Sequence, residues 1–287
     1  MNDQSHKSQY AVGVLPLVAS AIAFSSTGVF TKGVEAAAWS VIFWRGFFAS
    51  VSTTAYSVWR GRFRDEFFHM GRPGLVVGFV GALGTAALIP AFKLTEIANV
   101  AMIYASAPFL AALLAWLTIG EVVSRRTALG AAGALFGVVF IVGGSMGGVN
   151  LTGDLLALLM TLVMASIMVI YRAHPKTPSA GPSVLQSLFL LPVALTFSEP
   201  FYVSGVEIAI LAAFGILHAI ASVTLAEGAK RVPSGQTALI GALETPLAPV
   251  LAFLILSEVP TVTTFWGGAV IMIAVVFSLF EHGSDRQ

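Results

Sequence analysis

Three ionisable side chains lie inside long apolar stretches of this 287-residue chain, where a charge is costly unless it is paired or meets water. Glu244 is the most central of them, near the middle of the stretch 232–257. Its carboxyl group could bind the ammonium group of a ligand, or gain and lose a proton. The alternative is a neutral, buried group that hydrogen-bonds a neighbouring helix. We favour a functional role, because an ionisable group in such a position is a functional hypothesis by default.

His218 lies in the middle of the stretch 208–226, and Ser222 shares its helix face four residues later. An imidazole changes charge near neutral pH, so His218 could bind a carboxylate or relay protons. It could equally be a packing residue with one hydrogen bond, and the sequence leaves both interpretations open. Ser25, in the first apolar stretch, offers a further hydroxyl group. A bond from that hydroxyl to a carbonyl of its own helix is the favoured interpretation.

Arg45 lies well inside the stretch 36–59. A guanidinium group there could bind the carboxylate of a ligand. Arginine in an apolar helix also extends toward water or forms a structural ion pair, and Glu244 is a candidate partner. The structural roles together are the favoured interpretation.

Prolines accompany these candidates in two stretches. Pro108 follows Tyr104 by four residues, and Pro246 and Pro249 follow Glu244. Proline lacks an N–H and clashes with the carbonyl one turn back, so it kinks a helix and frees backbone acceptors. We therefore predict kinks in corresponding helices of the two halves that expose backbone acceptors toward a cavity at the middle of the membrane.

The elements that position these residues are predicted to be membrane helices. The chain is 57% apolar, only 10% of its residues are charged, and its mean hydropathy is +0.89. Soluble domains carry about 25% charged residues. A helix needs about 20 apolar residues to cross a bilayer, and ten stretches come close to or exceed that length: 11–31, 36–59, 73–92, 97–120, 127–149, 155–171, 177–198, 208–226, 232–257 and 259–280. The predicted fold is an all-α integral membrane protein with ten transmembrane helices.

An internal repeat divides these helices into two sets of five. The segment around Lys93 recurs 137 residues later around Lys230, and the other matching pairs are Gly78 and Gly215, Ala101 and Ala238, Ile103 and Ile240, Glu121 and Glu258, and Gly130 and Gly267. A period this long indicates a duplicated half-protein, since solenoid repeats are about 20 to 50 residues long. We predict a first repeat over 1–146 and a second over 147–287.

Five spans per repeat is an odd number, so the two repeats must be inverted relative to each other in the membrane. Loops assigned alternately to the two sides place twelve Lys and Arg residues on the side of the N-terminus and two, Lys32 and Lys93, on the other. The positive-inside rule then puts both termini in the cytoplasm.

The chain resembles the EamA-type members of the drug/metabolite transporter superfamily from its first stretch to about Leu279. The likeness rests on two proline-containing helices that end in Gly120-Glu121 and Ser257-Glu258, on Gly130 and Gly267 that follow them, and on the junctions Phe92-Lys93 and Ala229-Lys230. In length and number of spans it is similar to the YddG-type exporters of aromatic and other amino acids.

The resemblance implies alternating access through a central cavity, with the substrate leaving the cytoplasm across a bacterial inner (plasma) membrane. In one respect the chain departs from small four-helix relatives, which use a glutamate in their first helix. Neither 11–31 nor 155–171 contains a glutamate. The proton/drug exchange of those relatives therefore cannot be carried over.

The predicted cavity walls are mainly apolar, with contributions from Phe24, Tyr104, Met164 and Met168. Such a pocket suits a zwitterion with an apolar or aromatic side chain better than a sugar phosphate, which would need several basic residues. The sequence thus predicts an exporter of aromatic or other apolar amino acids. The alternatives are export of other small organic metabolites or drugs by proton exchange, and, in another class, a passive channel.

No enzyme, cofactor or metal site is predicted. The chain has no cysteine, its five histidines are scattered singly, and no His-Glu-x-x-His motif occurs. Binding of nucleic acid is not expected either, because the basic cluster from Arg60 to Arg72 is interrupted by Asp65 and Glu66 and is explained by membrane topology. The expected partners are a small-molecule substrate, an amino acid, and the lipid bilayer, with the protein a monomer or weak homodimer.

Overall fold

The computed structural model describes residues 2–122 and 151–259, with isolated residues between 125 and 136 and between 262 and 273. Within these residues all regular structure is helical. The first half contains α1 (Asn2–Ser25), α2 (Thr27–Lys32), α3 (Ala38–Trp59), α4 (Phe63–Phe68), α5 (Gly71–Leu94), α6 (Ile97–Tyr104) and α7 (Ala107–Ile119). The second contains α8 (Leu151–Ala173), α9 (Ala180–Phe197), a short 3-10 helix (Pro200–Tyr202), α10 (Gly205–Ala229), α11 (Ser234–Gly241) and α12 (Glu244–Leu256).

Seven segments of the described chain are long and apolar enough to cross a bilayer, which confirms a multi-pass membrane protein. They are Val12–Lys32, Gly71–Leu94, Ile97–Ile119, Thr152–Ala173, Ala180–Phe197, Gly205–Ala229 and Ser234–Leu256. The predicted stretch 36–59 forms α3 but is not one of the seven, because Arg45 and several hydroxyl side chains reduce its hydropathy. The stretches 127–149 and 259–280 lie mostly outside the described residues, so the total of ten remains a prediction.

Three of the seven spans are interrupted, one of them Val12–Lys32, which divides at Ser26. The other two break near their middle just before a proline, and we call them the broken spans. The span Ile97–Ile119 divides at Ala105 and Ser106, just before Pro108. The span Ser234–Leu256 divides at Ala242 and Leu243, just before Pro246. In each case the proline ring would clash with the carbonyl four residues earlier if the helix continued. By contrast, α12 continues through Pro249.

The helices of the two broken spans begin and end at equivalent positions, offset by 137 residues. The eight residues of α6 correspond to the eight of α11, and the thirteen residues of α7 to the thirteen of α12. Each pair ends in the left-handed conformation, with φ of 65° at Gly120 and 55° at Ser257. The repeated sequence therefore produces a repeated local structure, including the position of the break.

Close packing of helices around these broken spans depends on glycine. Helix α5 packs against α8 and α9, and α3 packs against α9 and α10. A Cβ atom at Gly84 would lie 2.6 Å from Cγ1 of Val163, and one at Gly78 would lie 2.9 Å from Cδ2 of Leu185. Both distances are too short for a real contact, so α5 approaches its neighbours as closely as it does because these residues lack side chains.

Glutamates at the ends of the broken spans cap helices of the opposite half. Glu121 Oε2 accepts a hydrogen bond from Ser234 N at 3.2 Å, and Glu258 Oε1 accepts one from Ile97 N at 3.2 Å. Each carboxylate also pairs with a base, Glu121 with Arg172 Nε at 3.0 Å and Glu258 with Lys32 Nζ at 3.1 Å. We call these two sets of contacts the cross-half caps. Each satisfies a helix-start N–H that has no partner in its own helix.

A second pair of glutamates binds backbone N–H groups at the start of α9 and in the loop just before α3. Glu66 Oε2 accepts hydrogen bonds from the N–H groups of Ser179 and Ala180, at 3.1 and 2.9 Å. Glu207 Oε1 accepts bonds from the N–H groups of residues 35 and 36, at 2.7 and 3.1 Å. Carboxylates stabilise helix starts through the helix dipole as well as by hydrogen bonding. Both halves thus exchange the same kind of contact.

Candidate functional site

A central cavity of about 60 Å³ lies among the helices of both halves. Four residues predicted from the sequence line it, namely Glu244, His218, Tyr104 and Ser222. The rest of its wall is mostly apolar, with contributions from Phe24, Leu88, Phe92, Met160, Met164 and Leu225. Met168, which was also expected there, is fully buried and does not line the cavity.

The two helix breaks place Tyr104 and Glu244 at the cavity. Tyr104 is the last residue of α6, and Glu244 is the first residue of α12, which packs against α6. Among the described residues, none forms a hydrogen bond or ion pair with the Glu244 carboxyl group. The alternative of a neutral glutamate bonded to a neighbouring helix thus finds no partner there, and the carboxyl group is available to a ligand.

Arg45 lies behind this cavity as a fully buried cation, 1% exposed. Its Nη1 is 3.2 Å from His218 Nδ1, and its Nη2 donates to Thr85 Oγ1 at 3.1 Å. The guanidinium carbon lies 5.5 Å from the centre of the Phe214 ring. Within the described part of the chain Arg45 has no carboxylate partner, so the ion pair with Glu244 that the sequence suggested is not formed. Thr85 and His218 accept from its two terminal nitrogens instead, while its Nε has no partner among the described residues.

The direction of the hydrogen bonds from Arg45 to the cavity follows from chemistry. A guanidinium group only donates, so His218 Nδ1 must accept. A neutral His218 then carries its proton on Nε2 and donates it to Ser222 Oγ, 3.3 Å away. The Ser222 hydroxyl proton is left to point onward, and Ser222 lines the cavity. The chain from Arg45 through His218 to Ser222 therefore ends in a donor, which suits an anionic group of a ligand.

Gln186 also lines the cavity, and the sequence analysis did not identify it. Its Nε2 donates to Thr85 Oγ1 at 2.8 Å, so Thr85 accepts from both Gln186 and Arg45. Gln186 lies in the predicted stretch 177–198, and the rule that singles out polar residues within apolar stretches applies to it as well as to His218.

Two candidates predicted from the sequence do not line the cavity. The hydroxyl of Ser25 donates to the carbonyl of Ile22 at 2.6 Å, within its own helix, as the structural interpretation predicts. Arg45 does not line the cavity itself, but its guanidinium contacts His218 and Thr85, which both line it. The other nitrogen of the His218 ring lies 3.3 Å from Ser222 Oγ.

The lining of the cavity therefore contains both an acidic group and a hydrogen-bond donor, on an otherwise mostly apolar surface. Glu244 offers a carboxyl group that has no partner among the described residues, and Ser222 offers a hydroxyl linked through His218 to a buried cation. Aromatic and methionine side chains form much of the remaining wall. No group of three His, Cys, Asp or Glu residues in the described ranges is arranged to hold a metal ion.

Comparison with known proteins agrees with this architecture. The family model described as "EamA-like transporter family" matches the chain twice, over residues 11–143 and 151–280. A solved structure described only as "Crystal structure of protein" has the same fold, with a TM-score of 0.77 and 19% sequence identity over 94% of this chain and 97% of the other. The search of curated proteins found no match.

Proposed function

Because the chain belongs to the EamA-like transporter family, we propose that it is a secondary transporter that exports apolar and aromatic amino acids from the cytoplasm by alternating access. Membership of the family, together with the seven apolar spans, makes it a multi-pass membrane transporter of small metabolites rather than an enzyme. The substrate, the direction and the mechanism are the parts that we propose.

The proposed substrate class is based on the residues that line the central cavity. An amino acid presents an ammonium group and a carboxylate on one carbon atom. The Glu244 carboxyl group suits the ammonium, and the Ser222 hydroxyl, held by His218 and Arg45, suits the carboxylate. The apolar wall suits the side chain. A sugar phosphate would place two negative charges in a cavity whose lining contains no Lys or Arg.

The size of the cavity supports alternating access. A volume of about 60 Å³ holds only a few water molecules, whereas sites for small molecules usually measure about 300 to 1,000 Å³. Helices must therefore move apart before an aromatic amino acid can enter. The broken spans are suited to this movement, since discontinuous helices at the midplane surround the sites of many transporters.

The proposal includes two inverted repeats, 1–146 and 147–287, with both termini on the cytoplasmic side of a bacterial inner membrane. The cross-half caps support the inversion. The span Ile97–Ile119 begins beside Glu258 and ends beside Glu121, while Ser234–Leu256 begins beside Glu121 and ends beside Glu258. These two equivalent spans thus run in opposite directions, as inversion requires.

The orientation can be tested with single cysteines, because the chain contains none. We expect Glu199→Cys to react with a membrane-impermeant maleimide in intact spheroplasts, and Arg64→Cys to react only after lysis. Both side chains are exposed, so access to reagent depends on the side of the membrane alone. Labelling of Arg64→Cys in intact spheroplasts would contradict the proposed orientation.

Transport itself is tested by counterflow in proteoliposomes loaded with unlabelled phenylalanine and diluted into a trace of labelled phenylalanine. A carrier with alternating access is expected to accumulate the label transiently above its external concentration. The excess of unlabelled phenylalanine inside occupies the binding site on the way out, so labelled phenylalanine continues to enter but seldom leaves. A passive channel gives equilibration without this overshoot.

Competitors in the same assay define the substrate class. Phenylalanine has both charged groups, phenethylamine lacks the carboxylate and phenylpropionate lacks the ammonium group. We expect unlabelled phenylalanine to compete best and each analogue to compete poorly. If no amino acid in a full panel produces counterflow, the proposed substrate class is wrong, although family membership stands.

A further inference from the structure

A second, polar cavity of about 250 Å³ lies at the end of the bundle where α3 and α10 end and α9 begins. It shares no lining residue with the central cavity. Three arginines line it, Arg60, Arg62 and Arg231, together with Glu66 and Glu227. The proposed transport cycle gives this cavity no role.

Both carboxylates in this cavity are already occupied. Glu66 Oε2 accepts from the N–H groups that begin α9, as described above. Glu227 pairs with Lys230 Nζ at 2.7 Å and with Arg231 Nη1 at 2.8 Å, and it also accepts from the Ser179 hydroxyl. Neither carboxylate has an ion pair with Arg60 or Arg62 among the described residues.

Within the described part of the chain, neither Arg60 nor Arg62 forms an ion pair with a carboxylate. Arg60 Nη1 donates to Tyr56 Oη at 2.9 Å, and its guanidinium lies 5.7 Å from the centre of that ring. Arg62 forms no side-chain hydrogen bond or ion pair within the described residues. Two guanidinium groups that line one polar cavity match the oxygen atoms of a phosphate group, which the planar guanidinium binds through paired hydrogen bonds.

The surroundings indicate where such a phosphate group would come from. Trp59, next to Arg60, is 82% exposed, and Phe68 in α4 is 74% exposed. Exposed aromatic side chains at the end of a membrane span lie at the level of the lipid headgroups. The proposed orientation puts this end on the cytoplasmic side, where anionic lipids attract basic residues near the membrane.

We infer that the cavity lined by Arg60 and Arg62 binds a phosphate-bearing anion, namely the headgroup phosphate of an anionic phospholipid. The lipid phosphate occupies the polar cavity between the two guanidinium groups, and its acyl chains lie along the exposed aromatic side chains. Free inorganic phosphate shares the chemistry of the headgroup but has no chains to bury there.

The test measures binding to the detergent-solubilised protein by native mass spectrometry and by the shift in its melting temperature. Three probes are compared: dihexanoyl-phosphatidylglycerol, dihexanoyl-phosphatidylcholine and inorganic phosphate. A ligand that binds only the folded protein raises its melting temperature in proportion to its affinity. We expect phosphatidylglycerol to bind and to raise the melting temperature at concentrations at least tenfold lower than phosphatidylcholine. If inorganic phosphate matches phosphatidylglycerol, the anion is recognised without its chains, and the source is a soluble phosphate.

The variants assign the site. Arg60→Gln/Arg62→Gln is expected to raise the required concentration of phosphatidylglycerol at least tenfold. Arg64→Gln is the matched control, since Arg64 is an exposed arginine of the same segment that does not line the cavity. Arg60→Lys/Arg62→Lys keeps the positive charges but lacks the planar guanidinium groups. We expect it to require a concentration of phosphatidylglycerol between those of the wild-type protein and the double glutamine variant. Where the double glutamine variant is unstable, Arg62→Gln alone serves, because among the described residues the Arg62 side chain has no hydrogen bond or ion pair to lose.

The inference is wrong if the double glutamine variant and Arg64→Gln require the same concentration of phosphatidylglycerol for the same rise in melting temperature. It is also wrong if the wild-type protein binds phosphatidylglycerol and phosphatidylcholine equally well. Neither result bears on transport of amino acids through the central cavity, because these measurements involve no transport and the two cavities share no residue.

Discussion

Glu244→Gln is expected to reduce transport of phenylalanine about 30-fold or more without impairing folding. Removal of one partner from a buried charged pair costs roughly 2 to 5 kcal/mol, and each 1.4 kcal/mol changes an affinity tenfold. Glutamine keeps the size of the side chain and its ability to hydrogen-bond, and Glu244 has no internal partner among the described residues to lose. The measurement is the rate and KM of counterflow in proteoliposomes, with the melting temperature as the test of folding.

Glu96→Gln is the control for Glu244→Gln. Glu96 is exposed, lies just before α6 and does not line the central cavity, so its substitution should leave transport unchanged. Competition by phenylpropionate, which has no ammonium group, should be the same for the wild-type protein and for Glu244→Gln. Transport of phenylalanine by Glu244→Gln with unchanged rate and KM would show that Glu244 does not bind the ammonium group.

Arg45→Met is expected to reduce the preference for phenylalanine over phenethylamine by about tenfold or more. Arg45 orients His218 and supplies the positive charge behind the Ser222 hydroxyl, so its loss should weaken binding of a carboxylate but hardly affect an amine. Removal also leaves the buried Nδ1 of His218 without its donor, at about 1 to 3 kcal/mol, whereas Thr85 keeps the hydrogen bond from Gln186. We therefore expect a lower melting temperature in addition to the change in preference.

Preference between substrates distinguishes the positioning role from a purely structural one. A variant that is merely less stable loses transport of both compounds equally, whereas the proposed role predicts a selective loss for phenylalanine. Arg45→Lys should restore part of the preference, because an ammonium group keeps the charge but has no planar fork to reach both Thr85 and His218. If Arg45→Met retains the wild-type preference, the carboxylate does not bind through this chain of hydrogen bonds.

Much of this architecture could be predicted from the sequence because the bilayer imposes a simple rule. Each span must be apolar over a fixed length, so α5 extends over 71–94 where 73–92 was predicted, and α10 extends over 205–229 where 208–226 was predicted. The same rule makes Glu244 and His218 conspicuous, since polar groups at this depth require a cavity or a partner. Both line the central cavity.

The sequence could not reveal which polar side chains line the cavity, because this depends on which face each helix turns toward its neighbours. Arg45 and Gln186 are both polar residues within predicted spans, yet one lies behind the cavity and the other lines it. The difference arises from the rotation of α3 and α9 about their own axes, which side-chain packing sets and spacing in the sequence does not reveal. Ser25 shows a local competition, because a carbonyl three residues away was a nearer acceptor than any ligand.

The breaks at residues 105–106 and 242–243 were only partly predictable. Proline at 108 and 246 indicated a kink, and the structure has a full interruption at each position. A helix can absorb a proline with a bend, as α12 does at Pro249. Whether it bends or breaks depends on what satisfies the freed backbone groups. At the first break, the carbonyl of Ala101 keeps its bond from the N–H of Ala105 and also accepts one from the Thr245 hydroxyl of the other half, at 3.1 Å.

The capping glutamates have a consequence for the biogenesis of the protein. Ribosomes deliver the chain from its N-terminus, and the start of α6 at Ile97 finds its capping carboxylate only in Glu258, 161 residues later. The residues just before α3 likewise find Glu207 only 172 residues later. An N–H group without a partner is costly where water is excluded, so we expect the first half to insert with such contacts unmade and to form them once the second half is in place. We therefore expect neither half, expressed alone, to complete these contacts, although the family model matches each half separately.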